Sequence, residues 1–93
     1  MKAKMKPNML ELFDQALLQV MEANTTRFGL TAEALRAFCR AQGFEPEEKE
    51  TLDRLEYLAG KGLAAAMPKL IDKSTRVWKI TAAGRLYLDE RNL

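Results

Sequence analysis

The sequence has no histidine and only one cysteine, Cys39, among its 93 residues. Without histidine there can be no Cys/His zinc site, and Ser-His-Asp or Cys-His nucleophiles lack their base. A lone cysteine forms no internal disulfide. Its apolar helical position in LRAFCRAQG points to a buried structural thiol and a reducing, cytosolic setting. An excess of one charge is also missing: 15 Lys and Arg against 13 Asp and Glu leave +2, too little to identify a polyanion partner. The 5 glycines are scattered singly, so there is no glycine-rich loop to cradle a phosphate. No apolar run approaches transmembrane length. The start, MKAKMKPNMLELF, lacks the continuous apolar segment and small-residue cleavage site of a signal peptide, and a cytoplasmic protein with no membrane partner is expected. The acidic residues fall on helix surfaces and first turns, where the helix dipole accounts for them without an active site. We therefore expect no enzyme, catalytic residue, cofactor or metal.

What is present reads as one globular domain, with 47% hydrophobic and 30% charged residues. A chain of this length buries a modest core, and a homodimer is one way such domains gain stability. Residues 1–7, with Lys2, Lys4 and Lys6, form a basic arm ahead of a single domain over 8–93. Met9, Leu10, Phe13, Ala16, Leu17, Val20 and Met21 recur at helical spacing and predict helix 1 over about 8–23, with Asn8 and Glu11 as a capping pair. Thr31 offers an N-cap for helix 2 over about 31–42, which Gly43 closes, and Leu30 and Leu35 occupy the positions of a hydrophobic staple. Pro46 suits the first turn of helix 3, about 46–61, whose core stripe is Leu52, Leu55, Leu58 and Ala59; Gly60 and Gly62 are the candidates for its closing residue, and Gly62 is preferred.

After Gly62 the period changes from helical to alternating, which predicts a hairpin over about 63–80. Leu63, Ala65 and Met67 share one face of its first strand, and Trp78 and Ile80 one face of its second. Asp72 and Ser74 are turn formers in the connection, and Pro68 suits an edge or the loop's start. Thr81 then caps helix 4 over about 82–91, with Leu86 and Tyr87 turned toward the body. Glycine at position 84, in the Thr-x-x-Gly of VWKITAAGRLYLDE, lets that helix approach the hairpin closely.

The fold class is thus α+β, mainly α. LTAEALRAF, LDRLEYLAGKGLAAA and WKITAAGRLYL, in that order and spacing, resemble the winged helix-turn-helix superfamily over about 10–88. The resemblance implies a three-helix bundle with a β-hairpin wing and a C-terminal helix, in a small bacterial or phage-type regulator of transcription. It also implies contact with double-stranded DNA through helix 3 and the wing, by a dimer reading paired half-sites.

Advancing about 100° per residue, burial of Leu52, Leu55 and Leu58 directs Glu50, Asp53, Arg54, Tyr57 and Lys61 outward. Glu47, Glu48, Glu50 and Asp53 all precede the first outward arginine, and several carboxylates together repel phosphate. They serve equally well to stabilise the start of a helix. On the DNA reading the contacts are Arg54, Tyr57 and Lys61 of helix 3, with Lys69, Lys73 and Arg76 of the wing; Lys49 flanks them and Lys79 lies beside the wing. The same hairpin cations also fit a set that protects sheet edges from aggregation. The alternative is a protein-interaction module in which Glu47, Glu50, Asp53 and Tyr57 meet a basic protein surface. One continuous positive surface would favour DNA and separated patches would favour protein. The small core leaves little room for an effector pocket.

Overall fold

A computed structural model describes residues 7–24, 29–68 and 76–91. Residues 1–6 of the basic arm and the connection 69–75, with Lys69, Lys73, Asp72 and Ser74, lie outside the described residues; Pro7, expected in the arm, belongs instead to the first helix. Helix α1 spans Pro7–Ala23, strand β1 Leu30–Thr31, α2 Ala32–Ala41, α3 Glu48–Gly60, β2 Ala64–Pro68, β3 Arg76–Ile80 and α4 Ala82–Glu90. The result is α+β and mainly helical, compatible with a winged-helix-like arrangement. The sheet has three strands in the order β1-β3-β2, both pairings antiparallel, rather than the two of the expected hairpin. Strand β1 is only 2 residues long, too short for alternation to reveal. Gly29 precedes it at φ 79, and a Cβ there would stand 3.0 Å from the Trp78 carbonyl oxygen. Glycine thus permits β1 to join β3.

Both interior helix ends follow from sequence. Gly43 (φ 99) and Gly62 (φ 79) adopt the left-handed conformation after α2 and α3. Each terminus has the paired closing bonds of a Schellman motif: Gly43 N–H to Arg40 O and Phe44 N–H to Cys39 O, then Gly62 N–H to Ala59 O and Leu63 N–H to Leu58 O. Thr31 Oγ1 accepts the Ala34 amide at 3.1 Å, so it caps α2 as expected. Two expected starts are corrected. Asn8 lies inside α1, which begins at Pro7, where a missing amide costs nothing. Pro46 precedes α3 and its carbonyl accepts from Arg36 Nε at 2.8 Å; Glu47 is the N-cap, in a reciprocal capping box with Glu50.

The core joins Phe13, Leu17 and Leu18 of α1 to Leu35 and Cys39 of α2, Leu55 and Leu58 of α3, Trp78 of β3 and Leu88 of α4. Trp78, fully buried, anchors the hairpin in this core. Leu18, outside the expected α1 stripe, is buried, whereas Leu52 is half-buried. On β2 the inward residue is Ala64, paired with Ile80, while Ala65 and Met67 are exposed. Leu86 points outward with 58% exposure, and Leu88 takes the core position while Tyr87 packs at its margin.

The base of the hairpin explains the Thr-x-x-Gly motif. Thr81 Oγ1 accepts the Gly84 amide at 3.0 Å and donates to the Gly62 carbonyl at 2.7 Å. The Thr81 amide donates to the Leu63 carbonyl at 3.1 Å. A Cβ on Gly84 would collide with that same Leu63 oxygen and come within 2.6 Å of Ile80 Cγ1. The cap and the glycine therefore clasp the end of α3 to the start of α4 and set where the hairpin leaves the helical body.

Candidate functional site

The expected contact residues divide between two places. Arg54, Tyr57 and Lys61 open onto a cleft of about 560 Å³ between α1, α3 and α4. Arg76, at the far end of the hairpin, instead meets Glu56 of α3 at 3.1 Å. Lys69 and Lys73 lie outside the described residues. Helical spacing produces the division: residues 54, 57, 58 and 61 follow one face of α3, and residue 56 falls on another.

Arg54 departs from the expected outward orientation. Its Nε donates to Asp14 Oδ1 at 2.9 Å and its Nη2 to Asp14 Oδ2 at 2.5 Å, a bidentate pair between α3 and α1. Side-chain exposure is 21% for Arg54 and 6% for Asp14, so both groups have largely left water. The hydrogen bond to Asp14 is the main cause that raises the guanidinium above its ordinary range. Freeing Arg54 for DNA would strand a buried carboxylate, so the group is committed to the fold. The sequence carried one signal of this: Asp14 stands four residues after Leu10 and three before Leu17, on the apolar face of α1.

The cleft repeats one motif twice. The Arg54 guanidinium lies 4.2 Å from the Tyr57 ring centre, and the Arg91 guanidinium 4.3 Å from that of Tyr87. Each arginine also meets a carboxylate of α1, Arg54 with Asp14 and Arg91 with Glu11 at 3.4 Å. Lys61 Nζ stands 5.5 Å from the Tyr57 ring centre, and among the described residues it has no carboxylate partner. Hydrogen bonding to Tyr87 is the first cause that raises the Arg91 guanidinium above its ordinary range. This space between helices lies outside the core, where sequence left little room for a pocket. Residues from α1 and α4 complete it, and the sequence reading assigned them no part in a site.

The alternative acidic surface is also partly explained by the fold. Glu50 is half-buried and its Oε1 accepts the Glu47 amide at 3.1 Å, so both residues stabilise the start of α3. Asp53 and Glu56 remain exposed on that helix, as does Lys49. Cys39 is buried, and desolvation pushes its thiol from 9.0 up to about 11, so it carries little thiolate at neutral pH. Among the described residues no group of three or more metal-ligating side chains gathers, and no helix is long and apolar enough to cross a membrane. Compared with protein-family models, curated proteins and solved structures, the chain matches none of them.

Proposed function

We propose that the chain is a small DNA-binding protein of winged-helix type, a regulator of transcription whose contact with double-stranded DNA runs mainly through the hairpin. The observation that carries this reading is the Gly62–Thr81 clasp, which fixes the hairpin beside α3, and the Arg76–Glu56 pair joins their exposed surfaces. Arg76 is 47% exposed and its pair is solvated, so exchange of Glu56 for phosphate costs little. Lys69 and Lys73 precede it in the connecting segment. The first half of α3, with exposed Glu47, Glu48 and Asp53, is kept away from phosphate by its own charge.

A mixed-sequence duplex titrated at several salt concentrations tests the reading. Saturable binding at micromolar protein is expected in low salt, with a log–log slope of about 0.9 per phosphate contact. Lys73→Glu with Arg76→Glu should abolish it, whereas Asp53→Asn should preserve or strengthen it. No binding at low salt would sink the proposal.

The separation of Arg54 and Lys61 from Arg76 favours a second reading, that of a protein partner. Arg54 of α3 and Arg76 of β3 both face carboxylates, and exposed Asp53 and Glu56 leave the helix acidic. Such a surface fits a basic protein partner. On that reading DNA binding is absent even in low salt, and Asp53→Lys with Glu47→Lys abolishes partner binding.

A further inference from the structure

We propose that the cleft between α1, α3 and α4 binds a small organic monoanion, a carboxylate carried on an apolar body. Three cations line it, Arg54, Lys61 and Arg91, with two carboxylates, Asp14 and Glu11, which leaves one positive charge. These charges are not equivalent. Asp14 is saturated by the bidentate fork of Arg54, so that pair contributes a neutral wall. Glu11 meets Arg91 through a single 3.4 Å contact in which both side chains are exposed, 61% and 41%, so Arg91 keeps donors for a stronger acceptor. Lys61, with no carboxylate partner among the described residues, has its ammonium donors to offer.

The rest of the lining is aromatic and aliphatic. Tyr57 comes from α3 and Tyr87 from α4, with Leu58 and Leu63 beside them. A ligand with a charged head and an apolar body would place the head at Lys61 and Arg91 and cover the rings. The charge balance selects the head. A dianionic phosphate would exceed the single net positive charge and face Glu11, whereas a carboxylate matches that charge and the planar arginine fork. The site does not depend on DNA binding through Arg76, which is not among its lining residues.

The test is an amide-resolved NMR titration of the full chain with phenylacetate, with phenylacetamide as the neutral isostere and inorganic phosphate as the competing class. Phenylacetate should give saturable shifts grouped at Tyr57, Lys61, Leu63, Tyr87 and Arg91, with the low-millimolar affinity ordinary for a ligand of about ten heavy atoms. Lys61→Met, an exposed change that leaves the Asp14–Arg54 pair intact, should weaken binding about tenfold, the usual effect of losing a charge-assisted hydrogen bond. Phenylacetamide should give no saturable shifts. The proposal is overturned if phenylacetate shifts do not saturate, if they scatter over surface lysines, if the amide binds equally well, if phosphate binds more tightly, or if Lys61→Met changes nothing.

Discussion

At the base of the hairpin, the hydroxyl and amide of Thr81 donate to the backbone carbonyls of Gly62 and Leu63, whereas α1 is tied to α3 by the side chains of Asp14 and Arg54, 40 residues apart. The first junction needs the Thr81 hydroxyl and a position 84 that carries no side chain. The second depends wholly on two side chains and leaves water largely out. Steric fit therefore governs one junction and charge pairing the other. They should fail differently when damaged.

The largest effect is expected at the charged junction. Arg54→Ala leaves Asp14 buried without its counter-ion, and we expect a loss of about 3–5 kcal/mol in urea unfolding. The paired change Asp14→Leu with Arg54→Met should restore most of that stability, because it removes the buried charge along with its partner. If the single and double variants are equally unstable, the junction is a packing contact and the contrast disappears.

The steric junction comes next. Gly84→Ala drives a methyl group into the Leu63 carbonyl and Ile80, and a loss of about 1–3 kcal/mol is expected. Gly60→Ala provides the control. It also lies in a helix, but an added Cβ there meets nothing within 4 Å, so the change should stabilise by about 0.5 kcal/mol through the unfolded chain. Equal thermal shifts for the two variants would mean that the close approach at Gly84 carries no weight.

The smallest effect is expected at the Arg76–Glu56 pair, where both side chains are about half exposed. Glu56→Ala should change stability by less than about 1 kcal/mol. On the DNA reading it should also raise duplex affinity by releasing Arg76 and removing a carboxylate beside it. A stability loss as large as that of Arg54→Ala would erase the distinction between a buried and a solvated ion pair.

These junctions also differ in how far they could be read in advance. Gly62 as the helix stop and Thr81 as the cap were legible because each acts on backbone groups within a few residues of itself, and Gly84 was legible from the Thr-x-x-Gly spacing, although the Leu63 carbonyl it approaches lies 21 residues away. Leu86 was misplaced because a 9-residue helix with apolar side chains at 86, 87 and 88 leaves its phase open until packing selects Leu88. Strand β1 escaped notice because 2 residues have no period. Of the candidate site, Tyr57 and Lys61 were legible as exposed positions on α3, but Glu11, Tyr87 and Arg91 were not legible as their neighbours.

By itself, the sequence determined the order of the four helices and the hairpin, the stops at Gly43 and Gly62, and the cap at Thr81, since local backbone geometry and hydrophobic period settle these. It also placed one carboxylate on an apolar helix face. Only the tertiary structure decided that Arg54 would satisfy it, that Arg76 would lie against Glu56, and that three helices would enclose a cleft. Those outcomes depend on which distant side chains are brought within a few ångströms, and periodicity along a chain carries no information about that distance.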